Sequence, residues 1–182
     1  MRVGKKEIKD QSVIVELLSK SLVGRLGTSG QDGYPRIKPL NFVYLEGRIY
    51  FHSAREGEKM EDIKRDSRVC FEIDLPITYV KSTGIPCNAD YLYRSIMIKG
   101  RARIVSEREE RTRALEGLMK KYQPQGGYSA LPKDNLALTA VVRIDIEEMT
   151  GKEDLGKEKE REAVLAFLEG KSLFPDALAL ER

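Results

Sequence analysis

The sequence predicts a mainly β protein, a β-barrel with helices attached to it. Three observations carry that class. Residues 48–53, 91–105 and 138–149 alternate apolar and polar side chains with the period of two that a half-buried strand requires. The strands of the first half are joined by hairpin turns, Ser29-Gly30-Gln31-Asp32-Gly33 and Glu46-Gly47, whose small and polar residues suit a tight reversal. Helical periodicity is confined to short stretches that do not alternate regularly with strands, which disfavours a doubly wound sheet.

Taken in order, Asp10 caps a helix running to about Lys20, with Val13, Ile14, Leu17 and Leu18 as its apolar stripe. Leu22 to Thr28 is the first strand and Tyr34 to Tyr44 the second. Pro39 in the middle of the second cannot donate to a ladder, so that strand lies at an edge or carries a bulge. Arg48 to Ser53 turns Ile49, Phe51 and Ser53 to one face and Arg48, Tyr50 and His52 to the other. A helical run from Glu58 to Arg65 follows, with Gly57 at the junction. Val69 to Ile73 is a fourth strand, with Cys70 read as core, and Pro76 to Gly84 a short strand and loop. Tyr91 to Val105 lines one face with Leu92, Ile96, Ile98, Ala102 and Ile104, and Gly100 suggests a bend.

Ser106 and Glu109 form a capping box for a helix whose face is Leu115, Leu118, Met119 and Tyr122. A Pro/Gly-rich loop covers residues 123–135. Leu138 to Met149 is the last clear strand, with Ala140, Val142, Ile144 and Ile146 on one side. Glu160 to Leu168 is a helix with Ala163, Val164 and Phe167 as its apolar edge, and the charge run 152–162 reads as a solvated helix face. Residues 175–182 read as a loose tail or an arm on a partner subunit. The expected organisation is a barrel domain over residues 1–152 and a charged helical extension over 153–182.

Composition excludes several classes. Lys and Arg total 32 against 29 Asp and Glu, so no strong field for a polyanion is present. The tyrosines are scattered, whereas a single-stranded nucleic-acid site wants aromatic platforms along a basic groove. Cys70 and Cys87 lack metal-ligand spacing, and a single histidine argues against zinc; no metal is expected. The basic start, Met1-Arg2-Val3-Gly4-Lys5-Lys6, has no apolar segment behind it, and no apolar run is long enough to span a membrane. A cytoplasmic location follows by default.

The stretch Tyr50-Phe51-His52-Ser53-Ala54-Arg55-Glu56-Gly57-Glu58-Lys59 passes from strand through a small-residue turn to a helix start. That order presents free amides and the positive end of a helix dipole to one point, which suits a phosphate, and Lys59 adds a full charge.

Four segments in order resemble a known family: Gly24-Arg25-Leu26-Gly27-Thr28; Gly33-Tyr34-Pro35-Arg36-Ile37-Lys38-Pro39-Leu40-Asn41-Phe42; Tyr50-Phe51-His52-Ser53-Ala54 with Gly57 and Lys59; and Cys87 with Tyr93-Arg94-Ser95-Ile96 and Gly100. They are similar to the pyridoxamine 5'-phosphate-oxidase-like FMN-binding split barrels, and within these to the 5-nitroimidazole-resistance (Nim-like) branch. The resemblance covers roughly residues 8 to 152.

It implies a homodimer with FMN in each of two clefts between subunits. It places Arg36, Ile37, Lys38, Pro39 and Leu40 along the flavin ring and ribityl chain, and His52, Ser53 and Ala54 beside the flavin. It gives the phosphate to Gly57 and Lys59, and brings Tyr93, Arg94 and Ser95 from the other subunit or to the cleft mouth. His52 is the candidate for proton transfer to a substrate, set against a structural role at a strand end.

The implied activity is an FMN-dependent oxidoreductase that reduces nitro or other small electrophilic groups, the electron donor being open, with NAD(P)H a candidate. The alternatives are an F420- or haem-binding relative, a pyridoxamine 5'-phosphate oxidase, or a non-catalytic flavin-storage or sensing protein. Oxidase activity is disfavoured because the C-terminal part has no Arg-x-His element.

Overall fold

The alternating segments form eight strands, and the amphipathic ones four α-helices, among the residues that the computed structural model describes, 4–82, 84–129 and 139–171. In chain order these are β1 (Glu7–Ile8), α1 (Gln11–Lys20), β2 (Gly24–Ser29), β3 (Pro35–Leu40), β4 (Val43–Leu45) and β5 (Arg48–Ala54). Then come α2 (Glu58–Arg65), β6 (Arg68–Val80), β7 (Asp90–Ile104), α3 (Arg108–Tyr122), β8 (Thr139–Asp154) and α4 (Glu158–Leu168). The strand order is β3-β2-β6-β7-β8-β5-β4, an open path, with β1 added on β8. The pairs β1–β8, β2–β3, β2–β6, β4–β5 and β5–β8 are antiparallel. This is the mainly β, helix-decorated class that the hairpins predict.

The chain divides into two compact units. The larger comprises Asp10–Ile73 and Ile96–Thr150; the smaller takes the chain up to Lys9, Asp74–Ser95 and the chain from Gly151 onward.

In the larger unit Leu18, Leu26, Phe42, Ile49, Phe51, Met60, Phe71, Ile98 and Ile144 are fully enclosed. Burying each contributes about 1.5–3 kcal/mol. Phe42 and Phe71 meet edge to face, with ring centroids 4.9 Å apart. A second cluster, Val43, Tyr50, Val105, Ala114, Leu118 and Val141, lies under α3. Neighbouring residues of β5 and β8 are therefore buried alike, Tyr50 beside Phe51 and Val141 beside Val142. Strict alternation along 138–149 accounts for Val142 and misses Val141.

Asp10 caps α1 as expected, its carboxylate accepting from the Ser12 N–H at 2.8 Å. The expected second strand is instead two. β3 pairs with β2, and β4 pairs with β5 at the other end of the strand order. The break at Asn41-Phe42 needs its backbone satisfied, because Phe42 is buried. Tyr122 of α3 supplies this: its hydroxyl accepts the Phe42 N–H at 2.9 Å and donates to the Leu22 carbonyl at 2.6 Å. β3 is terminal in the order, as Pro39 requires.

Three further local readings change. The α3 cap is Glu107 rather than Ser106, and its carboxylate accepts from the Glu109 and Glu110 amides. Cys70 is exposed, because Val69, Phe71 and Ile73 take the inward positions of β6. Gly100 marks a close approach rather than a bend: a β-carbon there would collide with the Asp145 carbonyl oxygen.

In the smaller unit Ile77, Val80, Leu92, Leu155 and Val164 form the core, with Ala163 and Phe167 packed against it. β6 runs unbroken through Pro76 to Val80, where a separate short strand was expected. The charge run 152–162 is only partly a helix face. Lys152, Glu153 and Asp154 finish β8, and Glu160 is buried, its carboxylate accepting the Lys157 N–H at 2.5 Å to start α4. The expectations for 175–182 and for Leu138 fall outside the described residues, as does part of the expected 123–135 loop. No described helix is long and apolar enough to cross a membrane.

Candidate functional site

The site is built on the junction from β5 to α2. Along β5, Ile49, Phe51 and Ser53 point into the core, so Ser53 is the last inward residue before the chain leaves the sheet. Its Oγ is buried and meets no hydrogen-bond partner among the described residues. The chain then turns at Gly57, whose φ of 110° and ψ of 167° lie where L side chains are strained. Gly57 caps α2, and the Met60 and Glu61 amides both donate to its carbonyl. No side chain caps the helix start, which leaves the Glu58 and Lys59 amides at an open, positive helix end.

Met60 and Ile63 anchor α2 in the core. Lys59, one position into the helix, is half-buried and has no carboxylate partner among the described residues. Its ammonium lies 5.8 Å from the centre of the Phe51 ring. Burial pushes its pKa below that of an ordinary lysine, and the nearby Lys38 pushes it further. An anion at this point would relieve both effects.

The β2–β3 hairpin brings further charge. Arg36 reaches Glu58 at 3.2 Å, Asp62 at 3.3 Å and Asp32 at 3.6 Å, while Lys38 reaches Glu58 at 2.5 Å. Asp62 is 1% exposed and anchors the group. It accepts from the Thr28 hydroxyl at 2.9 Å and from Arg65 at 3.0 Å, and Arg65 also donates to the Ser29 carbonyl. Burial alone would raise the Asp62 pKa. The Thr28 hydroxyl, Arg65 and Arg36 outweigh it and hold the carboxyl below the usual range. The hairpin and α2 are thus tied together through one buried carboxylate.

Of the expected residues, Arg36, Lys38, Gly57 and Lys59 gather around the start of α2. Ile37 and Pro39 are exposed on the opposite face of β3, and Leu40 is half-buried at its end. His52 is exposed on the Tyr50 face of β5, opposite Val141 of β8, and Ala54 shares that face. His52 and Ser53 therefore point to opposite sides of the strand. Tyr93, Arg94 and Ser95 belong to the smaller unit. There Arg94 is buried and donates to Glu153 at 3.0 Å, and Lys152 lies 5.5 Å from the Tyr93 ring.

Sequence reasoning missed Asp62, Glu58 and Thr28. The spacing of three between Asp62 and Arg65 was visible, but nothing local brings Thr28 or Arg36 to the same carboxylate. Arg55 was also passed over. It sits in the turn and lines a cleft of about 380 Å³ with Lys64, Ile104 and Arg111, which is why Ile104 is exposed rather than core. A smaller cleft of about 250 Å³ lies by Tyr50 and Glu110 under α3. There the Tyr50 hydroxyl donates to Glu110 at 2.8 Å and Arg143 donates to the same oxygen at 2.9 Å. No cluster of three or more metal-ligating side chains occurs among the described residues.

The β5–α2 donors fit a phosphate monoester: open amides at a helix start, with a buried hydroxyl and a half-buried lysine that have no hydrogen-bond partner and no counter-charge among the described residues.

The fold is a split barrel, its strands paired along an open path. The chain belongs to the pyridoxamine 5'-phosphate oxidase family, whose model matches residues 10–153. Among curated proteins nothing matches it. It is similar to the structure of a candidate 5-nitroimidazole antibiotic resistance protein from Bacteroides thetaiotaomicron, with 26% identity and a TM-score of 0.71 over 80% of this chain and 85% of that one. The flavocytochrome Anf3 from Azotobacter vinelandii shares 20% identity and a TM-score of 0.75, over 90% of this chain and 77% of its own. The FAD and heme binding protein from Mycobacterium smegmatis shares 16% identity and a TM-score of 0.75, over 87% and 79%.

Proposed function

We propose that this chain is an FMN-binding oxidoreductase that reduces nitro or other small electrophilic groups, and that it works as a homodimer. The observation that carries the reading is the β5–α2 junction, where Lys59 is half-buried beside Lys38 with no carboxylate partner among the described residues. A dianionic phosphate is a ligand that suits such a turn. Family membership and the named relatives, one a flavocytochrome and one an FAD and heme binding protein, support a flavin as its carrier.

In this reading Ser53, Gly57 and Lys59 hold the phosphate. Arg36 and Lys38 lie along the cofactor at its phosphate end, beside Glu58, and Leu40 further along it, with the exposed Ile37 and Pro39 on the other face of the strand. The flavin, when bound, supplies the electron transfer, and the chain binds it, orients it and manages protons. His52 is the one imidazole of the chain and stands on an exposed face, able to give a proton to or take one from a substrate. Arg94 is committed to Glu153, so on β7 the neighbours Tyr93 and Ser95 are left to meet the partner's cleft.

The test is to purify the protein, denature it and identify the released cofactor by mass. FMN supports the reading. F420, FAD, haem or no cofactor overturns the FMN assignment. Turnover of a model nitro compound with reduced flavin then separates an enzyme from a storage or sensing protein.

A further inference from the structure

Glu58 is the first residue of α2, beside the open amides, and each of its oxygens faces a different cation. Oε1 lies 3.2 Å from Arg36 and Oε2 2.5 Å from Lys38. Arg36 also meets Asp62 at 3.3 Å and Asp32 at 3.6 Å, and Asp62 differs from Glu58 in kind. Asp62 is buried, held by Thr28 and Arg65, and lies 3.3 Å from the guanidinium. The Glu58 side chain is 45% exposed and has no such anchor among the described residues. Arg36 therefore keeps its place whether or not Glu58 remains.

We propose that Glu58 is an internal anion, occupying Arg36 and Lys38 in the free protein and yielding them to the phosphate of an arriving ligand. This rests on the reading of the β5–α2 junction as a phosphate site. A carboxylate and a phosphate monoester compete for the same cations. The exposed carboxylate is the one that can swing out into water with little loss. Glu58 thereby holds the affinity for a phosphorylated flavin below what the cations alone would give. A flavin without the phosphate leaves the Glu58 pairs closed and gains nothing from their opening. The residue is a specificity determinant for the phosphate end of the ligand, and Asp62 is the positioning residue that makes the exchange possible.

The experiment is Glu58→Gln, titrated with FMN and with riboflavin at fixed ionic strength, flavin fluorescence being read against wild type. The glutamine keeps the shape and removes the charge at an exposed position. FMN is expected to bind about two- to tenfold more tightly, as for the loss of two exposed ion pairs that compete with it. Riboflavin is expected to bind as it does to wild type.

Unchanged or weaker FMN binding by the variant overturns the role of Glu58, as does an equal gain for riboflavin. Failure of wild type to bind FMN overturns the phosphate reading itself and the role of Glu58 with it.

Discussion

Lys59→Ala separates a binding role from a structural one, because the two predict opposite outcomes. In the ligand-free protein the ammonium is half-buried and disfavoured by burial and by Lys38. Its compensation is the Phe51 ring at 5.8 Å, worth about 0.5–1 kcal/mol at such a site. Removing the side chain loses the ring contact and relieves the buried charge, so the stability of the free protein should change by less than about 1 kcal/mol. In the proposed complex the same ammonium would make a charge-assisted bond to phosphate, worth about 1.5–3 kcal/mol. FMN affinity should therefore fall about 10- to 150-fold. The assay is quenching of flavin fluorescence, with urea unfolding of both free proteins as the control and riboflavin as the second ligand. Riboflavin affinity should hold. An unchanged Kd for FMN refutes the reasoning, and an equal loss for riboflavin moves Lys59 away from the phosphate.

Three further outcomes are expected. His52→Ala should retain FMN and lower turnover of a nitro compound by roughly 100- to 10,000-fold; wild-type turnover at equal flavin content would leave His52 a strand-end residue. Light scattering at micromolar concentration should give about twice 20.7 kDa, and a stable monomer that still holds FMN would sink the dimer. Tyr122→Phe should cost about 1–3 kcal/mol in urea unfolding, since the buried Phe42 N–H loses its acceptor; a loss under about 0.5 kcal/mol would mean that water replaces the hydroxyl there.

Much of the β5–α2 junction was legible because its signals are local. The bounds of α2, the turn at Gly57 and the inward position of Ser53 follow from periods and residue types within ten residues of one another. The Asp10 cap is equally local, a side chain bonding two residues on. Parity along a strand was less secure. Cys70 reads as core by type, but its neighbours Val69 and Phe71 claim the inner face and leave it outside. The cap of α3 shifted by one residue because a glutamate can span to two amides as well as a serine can to one.

What the sequence by itself determined, then, is the class of the fold, the strand-turn-helix junction at Gly57 and the family, since each is written in spacings and turn residues close along the chain. Only the tertiary structure decided where the second strand breaks and what surrounds α2. The break at Asn41-Phe42 depends on a tyrosine hydroxyl 80 residues away. The charge state of the site depends on Asp62 meeting Thr28, 34 residues before it, and Arg36, 26 before it. The physical reason is the same in both cases. A buried amide or carboxylate must find its partner wherever folding delivers one, and no periodicity in the chain records which side chain that will be.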